Sequence, residues 1–502
     1  MGSFDYEVGI IGAGIVGSFT FNTCVLSGIK TCLFEAGEDV SIGATKANSA
    51  IIHAGYDPIP GSKMAKYNVL GAKMYPSIAK RLGERMLNCG SLVVATADGL
   101  NGIRELYERG VKNGVSGLEI LDKAQVHALE PNLNDDICYA LYAKTAKVIS
   151  PYNFAISLCE EAIINGGELK LNFPVIKLTK LDGGWMVTSA TGEQFSCRYL
   201  VNAAGAGCAK INALAGAEKI DLTFTAGEYM ILDKSERKIV SRPIFPLPTK
   251  AGKGILVTIT EAGNVLLGPT ARPIKEYSTA VSKDGIEEIK EKTSTLVRGL
   301  NFKKVIKYYA GVRVKCGSDF VLQASRLAPN FYYTAGIASP GLASAPAIAQ
   351  EIVQNLIKMG AKTRNFCQKR RKPYINLARM SRVELNELIA QKPEFGRIVC
   401  RCEEITEGQI REVLDGPIRR LTVEGVKRRL RATMGRCQGS FCLPNIINIM
   451  ADYYKTSPDK IIIRGSTPLV TSPVKFGGIY GKNNIAISDS RDKLKNLTRR
   501  AN

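Results

Sequence analysis

Four cysteines near the C-terminal end of the chain have the spacing of a metal site. They form two close pairs, Cys400-x-Cys402 and Cys437-x-x-x-x-Cys442, which folding must bring together. Paired thiolates bind soft metals, so both zinc and an iron–sulfur cluster fit these residues. The alternative is chance clustering among 13 cysteines, since the other nine stand singly, as buried cysteines commonly do.

A glycine-rich turn near the N-terminus predicts a nucleotide site. The strand-like run Tyr6–Ile11 leads into Gly12-Ala13-Gly14-Ile15-Val16-Gly17, and a helical stretch follows to about Leu26. A second strand, Lys30–Phe34, ends at Glu35. The glycines permit a tight turn and close approach to a pyrophosphate, and the acid suits a ribose hydroxyl. Because only one such fingerprint is present, we expect a flavin dinucleotide and no nicotinamide dinucleotide.

The length of 502 residues and the order of elements predict an α/β fold of several parts. A Rossmann-like nucleotide domain would be interrupted by an antiparallel sheet, with alternating strands from Leu222 to about Arg313 and a helix near Lys283–Leu300. Helical stretches at Glu407–Leu414 and Leu443–Tyr454 predict a small helical module around the four cysteines. The predicted division is 1–84, 146–215 and 311–361 for the nucleotide domain, 85–145 and 216–310 for the substrate domain, 362–397 for a linker, 398–456 for the cysteine module and 457–502 for a tail.

The chain is strongly basic, with a formal net charge of +22. The positive electrostatic field of such a chain could attract nucleic acid, an anionic membrane surface, an acidic protein or anionic substrates. The densest basic runs are 369–372, 419–420 and 427–431, and they flank or lie inside the cysteine region. They lack interleaved aromatic residues, so we do not expect nucleic-acid binding by base stacking. Two interpretations stay open for them, a solvated surface and a docking face for an acidic redox partner.

The remaining composition favours a globular, cytoplasmic protein. The hydrophobic content is 45%, and no apolar run reaches the roughly 18 residues that a membrane span needs. Acidic residues precede the first apolar stretch, which argues against a signal peptide. Many single cysteines without such a signal indicate a reducing compartment.

Six motifs, taken in order, resemble the D-amino-acid-oxidase superfamily of FAD enzymes. They are 12–17, 45–57, 90–94, 268–270, 311–313 and 336–342. Within that superfamily the resemblance is closest to the branch of glycerol-3-phosphate dehydrogenases or oxidases and L-2-hydroxyglutarate oxidases. The segments 399–403 and 435–442 resemble the bacterioferritin-associated-ferredoxin-like [2Fe-2S] module. That module is found fused to anaerobic-type glycerol-3-phosphate dehydrogenase subunits and to some amine-oxidising flavoproteins.

The resemblance implies two cofactors, FAD and a [2Fe-2S] cluster. It favours iron over zinc, as does the C-x-C spacing, because zinc pairs more often show C-x-x-C. The implied cluster ligands are Cys400, Cys402, Cys437 and Cys442. The implied FAD contacts are Gly12, Ala13, Gly14, Ile15, Val16, Gly17, Glu35, Ala36, Thr45, Lys46, Asn48, Ser49, Val175, Ala204, Gly205, Gly311, Arg313, Gly341, Leu342 and Ala343.

A dehydrogenase of this class takes a hydride from a carbinol carbon while the hydroxyl proton leaves. Imidazole suits the role of base, and the chain has two histidines, His53 and His127. His53 follows the Asn48-Ser49 turn, which in the resembled family lies against the flavin ring, so we predict that it is the base. The alternative for His53 is packing or flavin contact. His127 lies in a surface-like helical segment and is predicted to have no catalytic role.

An anionic substrate needs fixed cations. Arg313 is the leading prediction, because guanidinium pairs bidentately with carboxylate or phosphate. Lys253 matches the family's substrate-contacting loop, with Lys250 as the neighbour that could be confused with it. Ser339 and Ser344 are predicted to donate hydrogen bonds to substrate or flavin.

The implied function is oxidation of a small anionic 2-hydroxy compound, with glycerol 3-phosphate first and L-2-hydroxyglutarate second. Electrons would pass through the cluster to a second redox protein, either a flavoprotein or a quinone-linked acceptor at the membrane periphery. The alternatives are an amino- or imino-acid dehydrogenase and a non-catalytic electron-transfer subunit; homo- and hetero-oligomers both stay open. In one departure from the family, Thr225-Ala226 replaces the basic residue expected before Gly227-Glu228-Tyr229.

Overall fold

The structure is a computed structural model that describes residues 4–248 and 254–470. In chain order its strands are β1 (Tyr6–Ile11), β2 (Thr31–Phe34), β3 (Ile51–Ile52), β4 (Met86–Leu87), β5 (Ser91–Ala95), β6 (Leu118–Leu121), β7 (Tyr139–Ala143), β8 (Lys147–Ile149), β9 (Glu168–Lys170), β10 (Val175–Leu181), β11 (Gly184–Ser189), β12 (Gln194–Asn202), β13 (Thr223–Leu232), β14 (Ile244–Pro246), β15 (Leu256–Ile259), β16 (Val265–Gly268), β17 (Arg272–Ile274), β18 (Val305–Lys315), β19 (Val321–Ala324), β20 (Phe331–Ala335), β21 (Ile398–Cys400), β22 (Ile405–Thr406), β23 (Ile462–Arg464) and β24 (Thr467–Pro468). The α-helices are α1 (Ile15–Leu26), α2 (Lys63–Leu82), α3 (Leu100–Lys112), α4 (Lys123–Leu129), α5 (Pro151–Ile164), α6 (Cys208–Ala215), α7 (Lys283–Ser294), α8 (Gly341–Lys358), α9 (Arg382–Gln391), α10 (Glu407–Leu414), α11 (Val423–Leu430) and α12 (Leu443–Tyr454). Over these described ranges, no helix combines the length and the apolar character that crossing a membrane requires.

The first sheet is built around β1, the strand that leads into the glycine turn. Its order is β10-β11-β12-β1-β2-β9, and β20 and β19 extend it from β12. β1 pairs in parallel with β2 and β12, so the carboxyl ends of the three strands meet at one edge. The apolar residues of β2 are all buried, with α1 packed against β1, β2 and α8. The predicted strand–turn–helix–strand order is confirmed, with the second strand beginning at Thr31.

The second sheet is the predicted antiparallel one. Its order is β17-β13-β16-β15-β14-β5-β7-β6, and β18 pairs with β13. β18 continues past residue 310, where the predicted division separates the domains, because it pairs with β13 from Val305 to Lys315. The predicted helix near Lys283–Leu300 is α7, which ends at Ser294, after which Val297 bridges to Leu133.

The four cysteines lie in a helical module formed by α10, α11 and α12. Both predicted helical stretches are confirmed at the predicted residues. Residues 457–470 belong to the same unit, since β23 packs on α11 and Ile461 is buried. The predicted linker contains α9, and its first part is held to the nucleotide domain, where the Lys369 amide donates to Asn165 Oδ1 at 2.7 Å.

Buried ion pairs join the module to the nucleotide domain. Arg428 and Arg429 are 3% and 8% exposed and donate to the Asp39 carboxylate at 2.9 and 2.8 Å. Arg371 is likewise buried and donates to Glu160 at 2.7 Å. The sequence allows a solvated surface or a docking face for the basic runs, and both interpretations are wrong for these three arginines. Their charges pair with buried carboxylates of the nucleotide domain.

Candidate functional site

The glycine turn after β1 is held in a tight, defined shape. A Cβ on Gly17 would lie 1.8 Å from the carbonyl oxygen of Gly12, and Gly12 itself has a φ of +102°. Glu35 accepts hydrogen bonds from the amides of Ala13 at 2.8 Å and Gly37 at 2.9 Å. Burial raises the pKa of the Glu35 carboxyl, and these amides act in the opposite direction. The carboxylate therefore braces the turn from the adjacent strand end.

Thr45, in a 3₁₀ turn with Lys46, closes the other side of the nucleotide cradle. Its Oγ1 accepts a hydrogen bond from the Ile15 amide at 2.9 Å. Helices α1 and α8 both begin without a side-chain cap or an acidic residue in their first turn, as far as the described residues extend. Helix N-termini of this kind attract anions through free N–H groups and the helix dipole. The cradle fits a dinucleotide whose pyrophosphate lies at the N-terminus of α1.

The other predicted cofactor residues lie on several elements, and their contact with FAD stays a prediction. A Cβ on Gly12 would lie 2.8 Å from Ala204 Cα, and Ala204 and Gly205 begin the 3₁₀ turn that follows β12. Helix α8 begins with Gly341, Leu342 and Ala343. Leu342 accepts a hydrogen bond from Tyr75 at 2.6 Å, and Gly71 admits the Ala343 carbonyl. Val175 is buried in the same apolar cluster as Phe34, whereas Ala36 and Lys46 are exposed.

One face of the β13–β18 pair carries the aromatic side chains Tyr229 and Tyr309 and the cationic side chain Arg313. Gly227 and Gly311 are opposite each other in register, and a Cβ on Gly311 would lie 1.9 Å from the Ala47 carbonyl oxygen. Above them Tyr229 and Tyr309 stack with ring centroids 4.7 Å apart. The two glycines therefore let the turn that follows Thr45 approach the sheet.

The Asn48-Ser49 turn is tied to this aromatic pair. The Tyr309 hydroxyl donates to the Asn48 carbonyl oxygen at 3.2 Å, and the Ser49 and Tyr229 hydroxyls lie 3.4 Å apart. The Asn48 side chain locks the turn by accepting from the Ala50 amide at 2.8 Å. Neither tyrosine is among the site residues predicted from the sequence, although the positions of both, two residues from Gly227 and Gly311, indicate the same sheet face.

Arg313 lies on the same face, and Gly227 and Gly311 separate it from the two tyrosines along the strands. A Cβ on Gly227 would lie 3.7 Å from Arg313 Nη2. Burial raises the pKa of Tyr229, and the Arg313 guanidinium and the Ser49 hydroxyl oppose that shift. Thr225 is the register partner of Arg313. Arg272 pairs with Ala226 and lies near Glu228 on the opposite face, so it does not replace the missing basic residue.

His53 follows β3 and is half-buried. Its ring lies 5.7 Å from that of Phe245, and its carbonyl oxygen accepts from Asn68 Nδ2 at 2.6 Å. Its role as base stays a prediction. His127 lies on α4, remote in sequence from these turns. Its Nε2 lies 3.1 Å from the Ile137 carbonyl oxygen.

The remaining predicted substrate contacts divide into three outcomes. Lys253 and its neighbour Lys250 lie outside the described residues. Ser339 is exposed immediately before α8. Ser344 is fully buried, and its hydroxyl donates to the Pro340 carbonyl oxygen within α8. The Ser344 hydroxyl is thus used by the helix backbone, and the residue packs toward Gly71; its contact with substrate or flavin stays a prediction.

The four cysteines of the module meet as two thiol pairs. The Cys442 thiol donates to Cys400 and thereby lowers the pKa of Cys400 to about 6, and Cys402 interacts in the same way with Cys437. Backbone amides also point at these sulfurs. A Cβ on Gly435 would lie 2.2 Å from Cys402 Cβ, so glycine is required there. Within residues 4–248 and 254–470, no group of three or more His, Cys, Asp or Glu side chains is placed to hold a single metal ion.

Two paired sets of thiols suit a two-iron cluster, in which each iron takes two cysteine ligands. Amides directed at the sulfurs are the usual outer contacts of such clusters. All 13 cysteines are free thiols, and of those outside the quartet Cys367 is the exposed one.

Comparison with known families identifies the nucleotide and substrate parts together. Residues 7–355 match the family model described as FAD dependent oxidoreductase. The chain belongs to this family. In this oxidoreductase, residues 398–452 also match the model described as BFD-like [2Fe-2S] binding domain. FAD, the [2Fe-2S] cluster and the fold class predicted from the sequence are thus confirmed, and iron is the metal of the module.

Three relatives show which enzymes of the family the oxidoreductase is similar to. It is 39% identical over 452 residues to the glycerol 3-phosphate dehydrogenase of Caloramator mitchellensis, which covers 89% of this chain and 94% of that protein. The dithionite-reduced L-alpha-glycerophosphate oxidase of Mycoplasma pneumoniae, solved with FAD bound, has a TM-score of 0.70 and 28% identity, covering 74% of this chain and 99% of that one. The mitochondrial L-2-hydroxyglutarate dehydrogenase of Pongo abelii is 27% identical over 283 residues, 53% of this chain and 67% of that protein.

Replacing Glu35 by glutamine tests the nucleotide cradle of the oxidoreductase. We expect the dissociation constant for FAD to rise about 10-fold, because an amide oxygen cannot reproduce two charge-assisted hydrogen bonds. Fluorescence of released flavin measures the constant. Glu38→Gln is the matched control, since Glu38 has no such hydrogen bond among the described residues. Equal loss of FAD in both variants would count against a specific role for Glu35.

Proposed function

We propose that this oxidoreductase is a glycerol-3-phosphate dehydrogenase that delivers its electrons to a second redox protein. The observation that carries the proposal is the face of the β13–β18 pair on which Arg313 stands beside Tyr229, opposite the Asn48-Ser49 turn. An arginine in this position binds a phosphate or carboxylate while the substrate carbon lies toward the flavin site. The likeness to the Caloramator mitchellensis dehydrogenase extends through most of the chain.

The residues divide the reaction between them. Bound FAD would supply the hydride acceptor, and the [2Fe-2S] cluster would supply one-electron transfer. Arg313 binds the anionic end of the substrate, and His53 takes the hydroxyl proton as the carbinol carbon loses its hydride and becomes a ketone. The Tyr229–Tyr309 pair holds the turn that carries Ser49.

The extent of the sequence match favours glycerol 3-phosphate over L-2-hydroxyglutarate. The glycerol 3-phosphate dehydrogenase of Caloramator mitchellensis matches 89% of this chain at 39% identity. The L-2-hydroxyglutarate dehydrogenase of Pongo abelii matches 53% of the chain at 27% identity.

Anaerobic flavin bleaching tests the proposal. The holoenzyme would be mixed without oxygen with glycerol 3-phosphate, L-2-hydroxyglutarate or a set of amino acids, and flavin absorbance would be followed. We expect glycerol 3-phosphate to bleach the flavin fastest. A Cys437→Ser variant should lose the cluster absorbance and keep flavin bleaching. Fastest bleaching by an amino acid would contradict the proposal, and no bleaching by any compound would favour a non-catalytic electron-transfer subunit.

The conservative variant Arg313→Lys tests substrate anchoring. We expect the KM for glycerol 3-phosphate to rise about 10- to 100-fold, because lysine keeps the charge but loses the bidentate fork. The substrate dependence of anaerobic flavin reduction gives this value. Arg272→Lys, on the opposite face of the same sheet, is the control and should leave KM unchanged. An unchanged KM in Arg313→Lys would remove Arg313 from the substrate site.

A further inference from the structure

A cleft opens between the substrate domain and the cysteine module. Its volume is ≈630 Å³. One wall is the turn 233–238 together with Asn264, and the other is formed by residues 401–403 with Gly435 and Arg436. Cys402, one of the cluster ligands implied above, lines the cleft directly. A cluster held by Cys402 would therefore be approached through this opening.

Basic side chains dominate the walls of the cleft. The lining contains five cations, Lys234, Arg237, Lys238, Arg401 and Arg436, against the carboxylates Asp233 and Glu403. Both carboxylates are already neutralised. Arg436 lies 3.2 Å from Asp233, and Glu403 pairs with Lys234 at 2.8 Å and Arg431 at 3.0 Å.

Two of these cations are available to a partner. Arg237 and Lys238 are exposed, and neither forms an ion pair over the described part of the chain. They belong to the turn of the substrate domain and are remote in sequence from the four cysteines. The cleft therefore presents positive charge that the protein itself leaves uncompensated.

An apolar contact point lies beside the cations. Phe441, adjacent to Cys442, is 51% exposed, and the Arg401 guanidinium lies 4.5 Å from its ring centroid. A large exposed aromatic residue among charged groups is typical of an interface. A small anion would use the cations alone, whereas a protein surface would cover both the cations and Phe441.

We propose that this cleft is the docking site of an acidic one-electron carrier protein. The proposal rests on the electron-delivering function proposed above and names the surface and the charge of the acceptor. A cluster held in part by Cys402 would supply one electron, which would reduce the single-electron centre of the carrier; no covalent bond would form or break. Complementary charge guides such encounters and fixes their orientation.

Binding of a purified flavodoxin of net negative charge to the oxidised holoenzyme tests the proposal. The double variant Arg237→Glu/Lys238→Glu should raise the dissociation constant about 10-fold or more at low ionic strength, and added salt should weaken wild-type binding. The matched control Lys177→Glu/Lys210→Glu makes the same charge change at exposed positions of the nucleotide domain. It should stay within about twofold of wild type. Flavin and cluster absorbance confirm that each variant keeps both cofactors.

Three outcomes would overturn the docking site. They are an absence of wild-type binding at low salt, equal weakening in both double variants, and saturable binding of inorganic tripolyphosphate at these residues without carrier binding. The second would assign the attraction to the overall positive field, and the third would assign the cleft to a small anion. Bleaching of the flavin by glycerol 3-phosphate without any carrier, measured on the same preparations, tests the proposed function separately.

Discussion

Replacing His53 by alanine is expected to slow flavin reduction by glycerol 3-phosphate roughly 10²- to 10⁴-fold, the range that general-base catalysis contributes. His53 follows β3, which starts two residues after the Asn48-Ser49 turn, and its half-buried ring packs near Phe245. A base at this point takes the hydroxyl proton as the hydride leaves the carbon. Anaerobic stopped-flow measurement of flavin bleaching gives the rate without interference from the acceptor.

The dependence on pH separates a base from a packing residue. An imidazole normally titrates near pH 6.5 and acts as a base only when neutral. Flavin reduction in the wild type should therefore slow as the pH falls into the acidic range, and His53→Ala should lose this dependence. His127→Ala, on α4, is the matched control and should retain both rate and profile. Near-normal reduction by His53→Ala would leave His53 as a packing or flavin-contact residue.

Local motifs were predictable from the sequence because their requirements lie within short stretches of chain. The glycine turn, its helix and Glu35 occupy one continuous segment, and the structure shows the contacts that each glycine permits. Helices α10 and α12 have the predicted bounds. The capping box of α10 at Thr406 and the apolar spacing of both helices are local signals of the same kind.

Features that depend on distant partners were not predictable in this way. Whether Arg428 and Arg429 are solvated or buried is decided by Asp39, which lies 389 and 390 residues away along the chain. The Tyr229–Tyr309 stack likewise depends on the register of β13 against β18. Ser344 has the residue type of a substrate donor, but its position one turn into α8 directs its hydroxyl to Pro340. Sequence spacing identifies the chemistry of a side chain, and tertiary register decides its use.

The second large effect is expected at the anchor between the cysteine module and the nucleotide domain, the buried ion pairs of Asp39 with Arg428 and Arg429. Asp39→Asn should shift the docking equilibrium of the module by about 3–5 kcal/mol, roughly 10²- to 10⁴-fold, because two buried guanidiniums lose their counter-charge. Arg428 and Arg429 would remain buried beside a neutral amide. We expect amides of α11 to exchange hydrogen faster, and cluster reduction after substrate addition to slow, while flavin reduction continues.

A surface ion pair of the module supplies the control. Asp452→Asn removes the partner of Arg411, where the Asp452 side chain is 56% exposed. Such pairs contribute about 0.5 kcal/mol or less, so α11 should exchange as in the wild type. Asp39 lies between the FAD-cradle residues Glu35 and Thr45, so flavin absorbance must be followed in both variants. Equal exchange of α11 in the wild type and Asp39→Asn would show that other contacts hold the module.

The pH dependence of this anchor has a defined sign. Burial alone would raise the pKa of the Asp39 carboxyl, but Arg429 and Arg428 lower it to about 2. A carboxyl with a depressed pKa stabilises the folded state fully above its unfolded pKa, near 3.9, and loses this contribution as the pH falls toward the folded value. The difference in α11 exchange between wild type and Asp39→Asn should therefore be largest near neutral pH and shrink between about pH 4 and pH 2. The segment from Glu35 to Thr45 carries both FAD-cradle residues and the Asp39 carboxylate that docks the cluster module. Loss of FAD should therefore also speed hydrogen exchange of the α11 amides.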